Sequence, residues 1–191
     1  MQFTSRPSLT ALLLTGLLAV AGCGAPGGDL PPIPTAQSDD YHLGAGDQVR
    51  IITFSDEQLT GDFRVNDSGN IALPLLGPVH AQGLTTNQLE GRVTEELKRK
   101  NLYRDPSVAV EVISYRPVFV LGEVSKPGQY PYQPGMSVLT SVAVAGGFTY
   151  RAVQDTASVV RDVSGKPEEF RAERQTPLRP GDVVNIYERH F

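Results

Sequence analysis

Cysteine occurs once in these 191 residues and histidine three times. One cysteine excludes an internal disulfide, and so few Cys and His side chains exclude a zinc site built from them. His42, His80 and His190 fall in no nucleophile-elbow, HExxH or similar motif. Neither Gly44-Ala45-Gly46 nor Gly146-Gly147 continues into a Walker A or dinucleotide fingerprint. No catalytic residue, no metal and no cofactor is therefore expected, and the chain does not read as an enzyme. Basic side chains are also short. Without its first 22 residues the chain loses Arg6 alone, so 17 basic side chains become 16 against 21 acidic ones, a formal charge of −5. That balance argues against nucleic acid as a partner. Finally, no apolar run reaches the 20 or so residues a helix needs to cross a bilayer.

The longest such run, residues 9–21 (LTALLLTGLLAVA), is short, follows the lone charge of Arg6 and ends at Gly22-Cys23. It predicts a signal peptide over residues 1–22. Val20-Ala21-Gly22-Cys23 resembles the lipobox of bacterial lipoproteins. The resemblance implies cleavage between Gly22 and Cys23 and acylation of Cys23, whose thiol accepts the lipid. Each buried methylene contributes about 0.8 kcal/mol, so two or three acyl chains hold a protein on a membrane without a spanning segment. Gly24 stands where an Asp would signal retention at the inner membrane, which implies sorting to the outer membrane. Residues 23–40 are rich in Gly, Pro, Ala and Ser with no periodicity and read as a lipidated flexible tether.

The folded region begins at Tyr41. Residues 48–54 (QVRIITF) alternate as a strand, with Val49 and Ile51 on one face. Residues 62–65 and 70–73 flank Asn66-Asp67-Ser68-Gly69, which is hairpin chemistry. Residues 73–77 (LPLLG) read as a short buried run. Thr85 with Gln88 three positions on forms a capping box, and Leu89, Val93 and Leu97 then give one apolar helix stripe. The Lys98-Arg99-Lys100 cluster suits the carbonyl end of that helix. Residues 107–115 alternate as a further strand. Residues 116–147 then read as a strand, a Lys126-Pro127-Gly128 turn, a short strand at 129–132 and a helix opened by Ser137 and closed by Gly146-Gly147. Residues 157–161 and 168–171 flank a Ser164-Gly165-Lys166 turn, and 178–187 form the last strand.

Three fragments occur twice. Residues 43–51 and 178–186 both read L-x-x-G-D-x-V-x-I; Leu76-Gly77-Pro78-Val79 echoes Leu121-Gly122-Glu123-Val124; Gly83-Leu84-Thr85 echoes Gly135-Met136-Ser137. The Gly-Asp fragment comes first in the front half and last in the back half, so there is no repeat of fixed period. Asp47 and Asp182 read as turn residues that accept backbone N–H groups, with a catalytic or metal-binding role as the alternative.

Taken together these pieces resemble bacterial polysaccharide export lipoproteins. Tyr41-x-Leu43-Gly44-x-Gly46-Asp47, Gly69-x-Ile71-x-Leu73-Pro74-x-x-Gly77 and Gly83-Leu84-Thr85 match the export domain. Gly122-Glu123-Val124, Lys126-Pro127-Gly128, Tyr130, Ala145-Gly146-Gly147 and Leu178-x-Pro180-Gly181-Asp182-x-Val184 resemble a soluble-ligand-binding β-grasp (SLBB) domain. The resemblance implies an α+β chain with an export domain over residues 41–115 and one SLBB β-grasp domain over 116–191. It implies a homo-oligomeric ring that conducts capsule or exopolysaccharide, lipid-anchored in the outer membrane and facing the periplasm. Its partners would be the exported polysaccharide, an inner-membrane copolymerase or tyrosine kinase and, since little chain follows the last strand, a separate outer-membrane β-barrel. The alternative is a monomeric glycan- or ligand-binding lipoprotein in which Tyr115, Tyr130 and Tyr132 stack on sugars; packing within the sheets is the simpler reading of these rings.

Overall fold

Strand β1 (Gln48–Thr53) buries Val49, Ile51 and Thr53 and turns Arg50 outward, as its alternation predicts. The computed structural model describes residues 27–34, 40–54, 57–163 and 165–189; Gly22, Cys23 and His190 lie outside them. Strand β1 is the centre of a three-stranded antiparallel sheet. It lies between β2 (Gly61–Arg64) and β5 (Val108–Ser114), with Val49 opposite Phe63 and Ile51 opposite Val110. A two-stranded ribbon, β3 (Asn70–Leu73) with β4 (Gly77–His80), stands beside it. Helix α1 (Thr86–Arg99) closes this first core by burying Leu89, Val93 and Leu97. Its capping box forms as expected: Gln88 N–H donates to the Thr85 hydroxyl at 3.2 Å and Thr85 N–H to Gln88 Oε1 at 2.9 Å.

The second core is a mixed five-stranded sheet. Its strands are β6 (Val118–Gly122), β7 (Gly128–Tyr130), β8 (Ala152–Val163), β9 (Lys166–Glu173) and β10 (Val183–Glu188), in the order β7-β6-β10-β8-β9. Strands β6 and β10 run parallel at its centre, with Val120 beside Val184, and β8 pairs antiparallel with β10. Helix α2 (Val138–Val144) buries Val138 and Val142 against this sheet. Ser137 caps it with Thr140, as Thr85 caps α1. The architecture is α+β, as expected, and the second sheet has a parallel pair, β6 with β10, and a covering helix.

Four local expectations are corrected. Strands β2 and β3 share the Asn66–Gly69 turn but do not pair, because β2 adds to β1 while β3 folds onto β4. The turn is held by its own side chain, Asn66 Oδ1 accepting from Ser68 and Asn70 N–H groups. Leu75 is not buried: it occupies the left-handed turn between β3 and β4 (φ 62°) and is 56% exposed. Residues 178–182 form a turn, so the last strand begins only at Val183. The segment 23–40 is not free along its length either. Ile33 N–H donates to the Arg171 carbonyl (3.1 Å) and Arg171 N–H to the Pro31 carbonyl (2.8 Å), adding residues 31–33 to the open edge of β9. An edge strand offers unpaired backbone groups, and the chain's own segment satisfies them.

Gly122 ends β6 for a steric reason. Its φ is +79°, and a Cβ there would overlap the Ile186 carbonyl oxygen of β10. Gly83 has a similar φ of +77° but open space around it. Gly83→Ala is expected to lose roughly 1–3 kcal/mol from backbone strain alone. Gly122→Ala should lose clearly more, through the added clash with β10; chemical denaturation of the two variants checks the difference.

Candidate functional site

The two L-x-x-G-D fragments fold into the same turn. Gly44 N–H donates to Asp47 Oδ2 at 2.7 Å, and Arg179 N–H donates to Asp182 Oδ2 at 2.7 Å. The reciprocal backbone bonds, Asp47 N–H to Gly44 and Asp182 N–H to Arg179, are each 3.1 Å. Both carboxylates are buried. A buried carboxylate needs a counter-charge and further donors, and each has recruited an arginine from elsewhere in the chain. Arg161 on β8 forks onto Asp182, Nε to Oδ1 at 3.0 Å and Nη2 to Oδ2 at 2.6 Å. This is the planar bidentate geometry that only arginine supplies.

Arg116 does something different at Asp47. Its backbone N–H donates to Asp47 Oδ1 at 2.7 Å, while Nη1 stands 3.5 Å from Oδ2. Its Nε then donates to the Pro180 carbonyl at 3.0 Å, inside the second L-x-x-G-D turn. One guanidinium therefore joins the two repeated turns. Glycines make the slot for it: a Cβ at Gly44 would overlap Nη1, and one at Gly181 would lie 2.8 Å from Nε. Gly181 N–H to the Pro117 carbonyl (3.0 Å) completes the joint.

A line of rings runs beside it. Tyr41 meets Tyr115 edge to face at 5.0 Å, and Tyr115 meets Tyr132 in the same way at 5.4 Å. Tyr41 carries the Arg116 guanidinium 6.0 Å above its ring and donates its hydroxyl to Asp47 Oδ2 at 2.5 Å. Burial, reinforced by that hydrogen bond and by the Asp47 charge, holds the Tyr41 phenol well above the ordinary tyrosine range. Burial also raises Tyr132, with smaller contributions from Tyr115 and Asp182. Next to Tyr41 and Tyr115 lies an open groove of about 350 Å³, lined also by Asp40, Asn87, Glu111 and Val112. It combines ring surface with carboxylate and amide groups, the chemistry that grips hydroxyl-rich ligands.

Of the three tyrosines singled out from the sequence, Tyr115 and Tyr132 come together here. Tyr130 does not join them; its hydroxyl donates to the Lys126 carbonyl at 2.5 Å and closes the β6–β7 turn. Cys23 and Gly22 lie outside the described residues. Asp47 and Asp182 spend their oxygens on the turns and their arginines. Among the described residues no group of His, Cys, Asp and Glu is placed to hold a metal ion. His42 is exposed, and His80 stands with its ring nitrogen 3.3 Å from Asn70 Oδ1. Sequence reasoning missed Tyr41, Arg116 and Arg161. The available signal was the pair of Gly-Asp fragments itself, since two buried aspartates require two cationic partners.

Removing Arg161 leaves Asp182 buried without its counter-charge, so Arg161→Ala is expected to cost about 3–5 kcal/mol. Arg116→Ala leaves Asp47 with two backbone N–H donors and Tyr41, and should cost less, roughly 1–2 kcal/mol; denaturant melts separate the two. The raised phenol of Tyr41 contributes stability below its ordinary value of 10.0, which is lost as pH climbs above it. Tyr41→Phe should therefore flatten the alkaline fall in stability followed by circular dichroism.

Residues 35–113 match the polysaccharide biosynthesis/export protein family, and residues 117–170 match the SLBB domain. The exopolysaccharide production protein ExoF of Rhizobium meliloti is 34% identical over 144 residues, covering 70% of this chain and 33% of that protein. The polysialic acid transport protein KpsD of Escherichia coli is 32% identical over 111 residues, 56% of this chain and 20% of its own length. The EPS I polysaccharide export outer membrane protein EpsA of Ralstonia nicotianae is 26% identical over 196 residues, 84% of this chain and 50% of its own. The chain thus spans from a fifth to a half of the length of these relatives. With the two matches in this order along one α+β chain, the protein belongs to the polysaccharide export family and carries an SLBB domain behind its export domain.

Proposed function

We propose that this protein is a lipid-anchored component of a capsule or exopolysaccharide export machine, held at the outer membrane by acylated Cys23 and facing the periplasm. The observation that carries the reading is the ordered pair of export and SLBB matches, together with similarity to three proteins named for polysaccharide production, transport or export. Residues 41–115 act as the export domain and 116–191 as the SLBB domain, joined by Arg116. Copies assemble into a ring whose lumen passes the polymer, without catalysis. A hydrated sugar chain slides past many weak polar contacts more readily than past one tight pocket. An inner-membrane copolymerase or tyrosine kinase and an outer-membrane β-barrel are the partners that the family resemblance suggests.

The groove beside Tyr41 and Tyr115 supports a second reading, a monomeric module that binds glycan there through Tyr115 and neighbouring polar groups. Mass measurement of the lipid-free folded part decides between them. A ring-sized assembly is expected, whereas a tight monomer that binds oligosaccharide favours the module. Deleting the gene should abolish surface or secreted polysaccharide while lipid-linked units continue to be made; normal export in the deletion strain refutes the conduit. Cys23→Ser should move the protein from the detergent phase to the aqueous phase on partitioning.

A further inference from the structure

One end of the second sheet gathers tyrosine and arginine side chains outside the Arg116 joint. Tyr150, in the loop between α2 and β8, is 86% exposed. That loop is fastened to the residues that end β10. Arg189 N–H donates to the Arg151 carbonyl and Arg189 Nε to the Ala152 carbonyl, both at 2.8 Å. Arg151 also forms an ion pair with Glu188. Tyr187, the residue before, lies against Gly27: a Cβ on Gly27 would approach its phenolic oxygen to 2.8 Å. The chain thus enters the fold where Tyr150, Tyr187, Arg151 and Arg189 are gathered. From there it is held, Leu30 N–H donating to the Gly27 carbonyl at 3.2 Å and residues 31–33 lying along β9.

Cys23 precedes Gly27 by four residues, a covalent reach of at most about 13–14 Å. The polar layer on each side of a bilayer takes up roughly 5–8 Å of that, being half the difference between a hydrocarbon core of about 30 Å and a total of about 40–45 Å. An acyl chain on Cys23 must enter the hydrocarbon, so little of the reach is left to hold the fold away from the surface. A long tether would let the folded part stand off; a segment seated from Gly27 onward does not.

We propose that the Tyr150, Tyr187, Arg151 and Arg189 end of the second sheet rests on the membrane, in contact with phosphate-bearing lipid headgroups. The inference depends on acylation of Cys23, as proposed above. Its chemistry suits the interface. Tyrosine rings partition to headgroup depth, where one end is apolar and the other wet. Arginine guanidinium groups at that height are attracted to lipid phosphates; with Arg151 paired to Glu188 and Arg189 Nε given to the Ala152 carbonyl, the attraction acts through their charge and remaining N–H groups. The first core, with its export-family match, then faces away from this membrane contact.

The chain contains no tryptophan, so Tyr150→Trp introduces a single fluorophore at a site too exposed to disturb folding. Phe54→Trp, at a position 64% exposed beside the first core, is the reference. Both are made in the full-length protein processed in its bacterial host and reconstituted in phosphatidylethanolamine–phosphatidylglycerol vesicles. The indole at 150 should shift to the blue on vesicles, be quenched by brominated lipid and be shielded severalfold from aqueous iodide, while the indole at 54 stays open to iodide. Equal iodide quenching at the two positions overturns the docking. Mass spectrometry of the N-terminal peptide from the same sample separates the causes. An acylated Cys23 with an exposed indole at 150 sinks the membrane contact alone, and an unmodified Cys23 sinks the lipoprotein reading with it.

Discussion

The guanidinium of Arg116 lies between two turns of identical pattern, one opening the first sheet and the other leading into the central strand of the second. Its backbone and side chain both address Asp47, and its Nε reaches the Pro180 carbonyl. Only Tyr115, Arg116 and Pro117 separate β5 from β6, and all three are engaged: Tyr115 in the line of rings, Arg116 in the slot, Pro117 by accepting from Gly181. A connection this short and this occupied leaves the two cores no slack in which to turn independently. An arginine is required because a lysine has no rigid fork with which to address two acceptors at once.

Much of this was legible in the residues. Both helix starts were written locally, as Gly-Leu-Thr and Gly-Met-Ser, and both produced a positive φ at the glycine and a capped helix. The repeated L-x-x-G-D fragments predicted turn chemistry at Asp47 and Asp182, and both carboxylates accept the backbone N–H three residues earlier. Such features depend on neighbours within a few positions, which is why pattern reaches them.

What pattern did not reach was partnership at a distance. Strand β2 carries nothing that tells β1 from β3 as its neighbour, and the hairpin-like turn between β2 and β3 points to the wrong one. Arg116 finds Asp47 and Pro180 across 69 and 64 residues, with no periodicity to mark the link. Pro31-Pro32 and its surroundings have the composition of a linker, yet the open edge of β9 gives them backbone partners that composition cannot foresee. The candidate site is made almost wholly of such distant links, so Tyr115 and Tyr132 could be named in advance but not that they would meet each other and Tyr41.

The position of β10 in the second sheet bears on the order in which the protein can fold. Strands β6 and β8 share no hydrogen bonds; each pairs with β10, which lies between them and is the last strand described. The first core, by contrast, is complete once β5 has emerged. A chain that emerges from its amino end can therefore settle its front half while its back half still lacks the strand that holds it together. The second sheet closes only when β10 arrives, some sixty residues after β6, and loop closure over that span adds an entropic cost.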